Sequence, residues 1–254
     1  MNESVRFGRI IRVGARIDGS ERNAANPAFH GCVDVSGDEL EVILKFEPPH
    51  RLAKELIAVS VASRVGIAHA PGLIGLVRTR DFEQLRDVSP VSVTAGEVCY
   101  ASEKSPGWDV LQDYDKFLPS PFAIDLLVFD QLIANQDRVR GNILEHGHGF
   151  RAFDHDKILF FDEAKWTELP ASAPVGSLTG DDIASRRASS LELAKRTAEQ
   201  FRASMQAEPL DFLEEITKIG LFTESDAAAV HDFLMRRSAV LPSVVEHYFE
   251  QNTG

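Results

Sequence analysis

The segment FDQLIANQDRVRGNIL releases Asp137, Arg138 and Asn142 into a polar loop directly after an apolar run that ends near Asn135. A carboxylate, a guanidinium and an amide presented together by a rigid element can move a proton, hold an anion and ligate a hard cation. Farther on, FRAFDHD supplies Asp154 and Asp156. The stretch between, GNILEHGHGFRAFDHD, predicts a β-hairpin turning at Gly147 and His148. In that register residue 142 lies opposite 153, and Asn142 becomes a diagonal neighbour of Asp154 on the next strand. An amide oxygen and a carboxylate then converge, a donor pair suited to Mg²⁺ when phosphate oxygens and water complete the octahedron. Asp137 is placed at the mouth of that site, where it can orient an acceptor hydroxyl and take its proton. Asp156 is an alternative to Asp154 as the main metal ligand.

These groups need elements to position them. The helix holding the loop is read from Ser120, a capping residue, with Pro121 in the first turn and FAIDLLVFDQLIA apolar on nearly every side, which suits an interior. Upstream, SVRFGRIIRV, FHGCVDV and LEVILKF read as strands, and RLAKELIAVSVASRVG as a helix. Along LEVILKF the period of two puts Leu40, Val42, Leu44 and Phe46 on one face and Glu41, Ile43 and Lys45 on the other. Lys45 is thereby aimed to one side, where it can meet nucleotide phosphates and pair with Glu55 on the helix that follows. A phosphate-covering loop has only Gly19 and Ser20, with Asn23 and Asn26, in the polar stretch RIDGSERNAANP between the first two strands. No G-x-G-x-x-G or G-x-x-x-x-G-K-[ST] pattern occurs.

The texture turns from strand-rich to helix-rich around VTAGEVCYASEKSPG, where Gly, Ser and Pro cluster, and a boundary near residue 102 divides the chain into 1–102 and 103–254. LPASAPVGSLTG reads as a surface loop, and SRRASSLELAKRTAEQFRASM and EPLDFLEEITKIG as helices. Thr223 and Asp226, in capping-box spacing, open the last helix.

The 254 residues, 44% of them hydrophobic, suffice for one two-lobed domain or two small ones. A net charge of −12 argues against direct nucleic-acid binding, and no apolar run is long enough for a bilayer span or a signal peptide, so a cytoplasmic location is expected. Cys32 and Cys99 lie far apart and read as core thiols. A transition-metal cluster of His146, His148, His155, Asp154 and Asp156 is the lesser reading, because two of its histidines fall in a turn. Nucleophile-elbow and H-E-x-x-H patterns, which would mark a hydrolase, do not occur.

The run VFDQLIANQDRVRGNIL followed by FRAFDHD resembles the catalytic core of HipA-like kinases and of the related type II phosphatidylinositol 4-kinases. EVILKF and LAKELIAVSVASRVGI resemble that family's strand-borne Lys and its small-lobe helix carrying a Glu. The likeness covers about residues 15 to 160. It implies an α+β, two-lobed protein-kinase-like fold, with a small antiparallel-sheet lobe and a larger helical lobe, and ATP and Mg²⁺ in the cleft. It further implies Lys45 on the phosphates, Asp137 with Arg138 as the catalytic D-R pair, Asn142 and Asp154 on the metal, and a protein Ser or Thr hydroxyl as phosphoacceptor. Val139 stands where many relatives have His, and the extra N-terminal subdomain of HipA toxins has no counterpart. A small-molecule kinase of the aminoglycoside-phosphotransferase type and a nucleotide-binding pseudokinase are the alternatives.

Overall fold

A computed structural model describes residues 6–17, 28–77, 98–159, 170–186 and 188–252. Strands β1 (Phe7–Arg16), β2 (Ala28–Val35), β3 (Asp38–Lys45), β4 (Gly72–Leu76) and β5 (Val98–Glu103) close into a barrel in the order β1-β2-β3-β5-β4. The β2–β3 hairpin turns on Ser36 and Gly37, both at positive φ (56° and 99°), the backbone hand that a two-residue hairpin requires. Asp34 Oδ1 accepts the Gly37 N–H at 2.8 Å and fixes that turn. The expected alternation along β3 is present: Val42, Leu44 and Phe46 join Ile10, Phe29, Val33, Leu73, Cys99 and Ala101 in the barrel interior.

Two expectations are corrected here. The sheet is not simply antiparallel, because β1 pairs parallel with β4, Phe7 opposite Ile74. β1 is ten residues long and its register with β2 shifts twice, and such irregularities bend a strand far enough to bring its end around to the other edge. Residues 98–103, read as part of a break in pattern, form β5, with Cys99 and Ala101 inward and Tyr100 outward. Residue 102 therefore lies within a strand.

Helix α1 (Pro49–Val65) begins with Pro at its first turn and stops at Gly66, whose φ of 80° ends the helical path. It covers the outer face of β4 and β5, where Ile74 and Tyr100 point. Beyond β5 come β6 (Asp109–Val110), α2 (Tyr114–Phe117) and α3 (Pro121–Ile133). Ser120 Oγ accepts the Ala123 N–H at 3.3 Å at the start of α3. As its all-round apolarity demands, α3 is surrounded, by α1, α4 (Leu178–Arg186), α5 (Leu191–Ala207) and α7 (Glu224–Asn252), with α6 (Phe212–Lys218) against α1 and α7.

Strands β7 (Ile143–His146) and β8 (Gly149–Ala152) form the anticipated hairpin, Ile143 opposite Ala152 and His146 opposite Gly149, with β6 added at the edge. The segment after α1 is tied to it by Ala70 N–H to Ala152 O (2.9 Å) and Ala152 N–H to Ala68 O (3.0 Å). The stretch from 185 to 205, read as one helix, is interrupted by a 3-10 turn at Ala188–Ser190, because paired serines favour helix entry over helix interior. LPASAPVGSLTG is not a free loop. Val175 is buried and exchanges two hydrogen bonds with the Gln131 amide, which must find partners inside an apolar helix, and residues 178–180 already belong to α4. Thr223 and Asp226 make the reciprocal cap read from their spacing. Among the described residues no helix is long and apolar enough to cross a membrane.

Gly31 gives a direct test of the barrel's packing: a Cβ there would lie 2.4 Å from Leu44 Cδ1 in the filled interior. Gly31→Ala is expected to lower unfolding free energy in urea by about 1–3 kcal/mol, the usual effect of overpacking a core.

Candidate active site

Lys45 closes β3 on the face opposite Leu44, and its strand partner there is Tyr100. Its ammonium lies 2.5 Å from Glu55 Oε1 on α1 and 2.6 Å from Asp154 Oδ1 beyond β8, and 5.7 Å from the centre of the Tyr100 ring. Glu55 is fully buried, and its second oxygen accepts the His155 N–H at 2.8 Å. One cation thus joins a strand, a helix and the loop after the hairpin. Burial alone would lower the Lys45 pKa, but the carboxylates of Asp154 and Glu55 hold it well above the usual lysine value. Burial would raise Asp154, and Lys45 beside it instead holds that carboxyl below the ordinary range.

The loop after α3 is built around Arg138, which is completely buried. Ala134 turns the chain out of α3 at φ 52°, and the Asn135 side chain then bridges Asp130 Oδ1 (3.0 Å) and the Asp137 N–H (3.1 Å). Arg138 Nε and Nη2 grip the Asp130 carboxylate at 3.0 Å. Nη1 donates to Asn142 O (3.1 Å) and Phe153 O (2.9 Å), and Nη2 to His155 Nδ1 (2.9 Å). Because guanidinium only donates, Nδ1 of His155 is the acceptor nitrogen, and burial together with Arg138 pushes the His155 pKa well below the usual value. All five N–H groups are committed inside the protein. Arg138, read from the D-R pattern as a catalytic partner of Asp137, is therefore turned inward, with no N–H left over for a ligand.

Asp137 emerges on the other side of this loop, partly exposed, with Lys157 Nζ 2.8 Å from its Oδ2. Asn142 lies on a 3-10 turn, Arg140–Asn142, and its Nδ2 donates to Asp137 O at 3.2 Å. That bond fixes the amide so that its oxygen is the group left for a ligand. The Phe153 N–H donates to Asn142 O at 3.2 Å, the pairing expected from the hairpin register. Asp154 itself lies past the end of β8, at φ 58°, and not on the strand. Gly19 and Ser20 lie outside the described residues, as do Asn23 and Asn26.

The donor set is hard oxygen throughout. Asn142 supplies an amide oxygen and Asp154 a carboxylate whose Oδ1 is taken by Lys45 and whose Oδ2 can serve a cation. No group of three or more His, Cys, Asp or Glu among the described residues forms a metal cage. Two protein ligands completed by phosphate and water suit Mg²⁺, whereas a transition-metal cluster is not assembled: His146 bonds Gly107 O at 2.6 Å and His155 faces Arg138. Asp156 is buried and lies 3.6 Å from Arg51.

Four contributing residues escape the sequence patterns. Asp130 had one signal, a charge near the end of a largely apolar helix eight residues before an Arg. Tyr100, Lys157 and Glu47 had none. Glu47, two residues beyond Lys45, is nearly buried and its Oε2 has no hydrogen-bond partner. Burial, opposed by Lys45 and reinforced by Glu55, Asp156 and Asp154, raises its pKa to about 8.

Replacing Arg138 by Met should cost about 3–5 kcal/mol in urea unfolding, since the Asp130 carboxylate would stay buried without its cation. Glu47 predicts a pH effect. It binds its proton up to about pH 8 folded, against an ordinary value of 4.5, so the folded state holds the extra proton between them and stability falls as pH rises through that window. In Glu47→Gln the decline of melting temperature from pH 5 to 8 should flatten, with a gain over wild type of about 1 kcal/mol or more at pH 8.

No family model matches the chain, and no curated protein matches it by sequence. Among solved structures, the crystal structure of a Helicobacter pylori proinflammatory kinase, CtkA, is similar in fold, with a TM-score of 0.51 and 12% identity over 87% of this chain and 94% of that one. The chain thus has a mixed α+β fold with a kinase as structural neighbour.

Proposed function

We propose that the chain is an ATP- and Mg²⁺-dependent phosphotransferase of the HipA-like kinase type, with a protein Ser or Thr hydroxyl as acceptor. The observation that carries this reading is the bridge of Lys45 to Glu55 and Asp154, at 2.5 and 2.6 Å. An ammonium held between a helix carboxylate and a loop carboxylate is the arrangement that phosphoryl transfer needs around a triphosphate. In this reading residues 1–102 are the nucleotide-binding lobe and residues 103–254 the lobe with the acceptor and metal groups.

Lys45 meets the phosphates while Glu55 holds its ammonium in place. Asn142 and Asp154 hold Mg²⁺, which supplies charge neutralisation on the phosphate oxygens when bound. Asp137 orients the acceptor hydroxyl. The hydroxyl oxygen bonds to the γ-phosphorus, the bond from that phosphorus to the bridging oxygen of ADP breaks, and the hydroxyl proton ends on the Asp137 carboxylate. Arg138, Asp130 and Asn135 keep that carboxylate aimed and touch no reacting atom.

The test pairs calorimetric Mg-ATP affinity with transfer of label from γ-labelled ATP. Asp137→Asn should leave affinity nearly unchanged and slow transfer about 10²–10⁴-fold. Asp154→Asn should lose the extra affinity that Mg²⁺ confers over metal-free ATP. Wild-type protein that binds Mg-ATP without transferring phosphate to itself, to proteins or to small molecules would be a nucleotide sensor, and label on small molecules would replace the protein acceptor.

A further inference from the structure

Lys157 has no place in the mechanism above, yet its ammonium lies 2.8 Å from the Asp137 carboxylate, the group assigned to the acceptor proton. Both side chains are partly exposed, 38% and 41%, so the pair stands at an open surface where an acceptor can arrive. The other cations of the region are committed elsewhere. Arg138 spends every N–H inside the protein, Lys45 lies between Glu55 and Asp154, and Arg140 pairs with Asp182 and stacks over Tyr114.

The backbone holds Lys157 in this position from both sides. Before it, the His155 N–H is bound to Glu55. After it, Ile158 and Leu159 are fully buried, the latter at φ 57°. The ammonium is delivered to Asp137 by the same loop that carries Asp154, from three residues farther on.

We propose that Lys157 is a catalytic cation for the transferring phosphoryl group. This rests on the phosphotransferase reading. An acceptor hydroxyl on Asp137 brings the phosphoryl group to the same carboxylate's neighbourhood, and a positive charge already seated there meets the charge spread over its oxygens without reorganising. Asp137 has two oxygens, so Oδ2 can keep Lys157 while Oδ1 receives the proton. In the loop at residues 137–142 Arg138 is turned in and Arg140 is engaged with Asp182 and Tyr114, and Lys157 provides the charge beside Asp137 from another segment.

The experiment compares wild type, Lys157→Met, Lys157→Arg and, as a remote surface control, Lys218→Met. Two quantities are read: the calorimetric affinity ratio of Mg-ATP over Mg-ADP, and label transfer from γ-labelled ATP to the chain itself and to casein. Lys157→Met should lower kcat about 10²–10³-fold, as loss of one transition-state donor does, with a smaller change in KM. It should also reduce the preference for ATP over ADP, while Lys157→Arg retains most of both and Lys218→Met equals wild type. Transfer by Lys157→Met that is faster than wild type would overturn the proposal, because the pair would then be a clamp on Asp137. So would an unchanged affinity ratio, which decides the matter even if no acceptor is phosphorylated. Unchanged behaviour of Lys157→Met beside an active wild type removes Lys157 alone, whereas wild-type protein that binds no Mg-ATP removes the phosphotransferase reading with it.

Discussion

A buried guanidinium needs an acceptor for every N–H, and Arg138 finds them in four places: Asp130 in α3, Asn142 O before β7, Phe153 O after β8, and His155 in the loop beyond. These bonds fix the exit of the helix, the base of the hairpin and the chain that leaves it as one unit. Asp137 and Asn142 take their positions from what lies behind them. The partner choice is also specific to Arg. A lysine would offer a point charge with three donors and could not grip a carboxylate with two nitrogens while reaching two carbonyls.

Around Lys45 the charges do not balance. One ammonium faces Glu55 and Asp154 in direct contact, with Glu47 and Asp156 close enough to influence one another. The structure answers the excess in two ways. Glu47 stays protonated up to about pH 8, and Arg51 approaches Asp156. The negative surplus that remains at Asp154 is suited to a divalent cation and unsuited to a bare triphosphate. An acidic chain can therefore hold a polyanion in the proposed manner only if metal accompanies it.

What was legible in the sequence was whatever depends on short-range period. The turn at Gly147 and His148 and the pairing of 142 with 153 follow from hairpin geometry, and the facing of Lys45 follows from strand alternation. Barrel closure was not legible, because pairing of Phe7 with Ile74 depends on the accumulated bend of β1 and not on any local pattern. β5 was concealed by its small residues: Cys99 and Ala101 pack inside the barrel, but together with Ser102 they read as a loop. The inward turn of Arg138 was not legible either, because adjacent loop positions carry no period that says which of Asp137 and Arg138 is buried. Glu47 and Lys157 carry no pattern at all; their significance arises only when segments far apart in the chain are brought together.

Asp154 shows how these parts depend on one another. Its φ of 58° is a conformation that a residue with a Cβ adopts at a cost of roughly 1–2 kcal/mol, and it persists only where the surroundings leave no alternative. Here both flanking peptides are bound. The Phe153 carbonyl accepts from Arg138, and the His155 N–H donates to Glu55. Glu55 in turn holds Lys45, which takes Asp154 Oδ1. The carboxylate is thus constrained through its backbone on two sides and its side chain on a third. Relaxing the strain would break the Arg138 bond or the Glu55 bond, each of which completes the hydrogen bonding of a buried charge. The strained turn is retained because two buried charges require it, and the consequence is a carboxylate whose direction is set before any cation arrives.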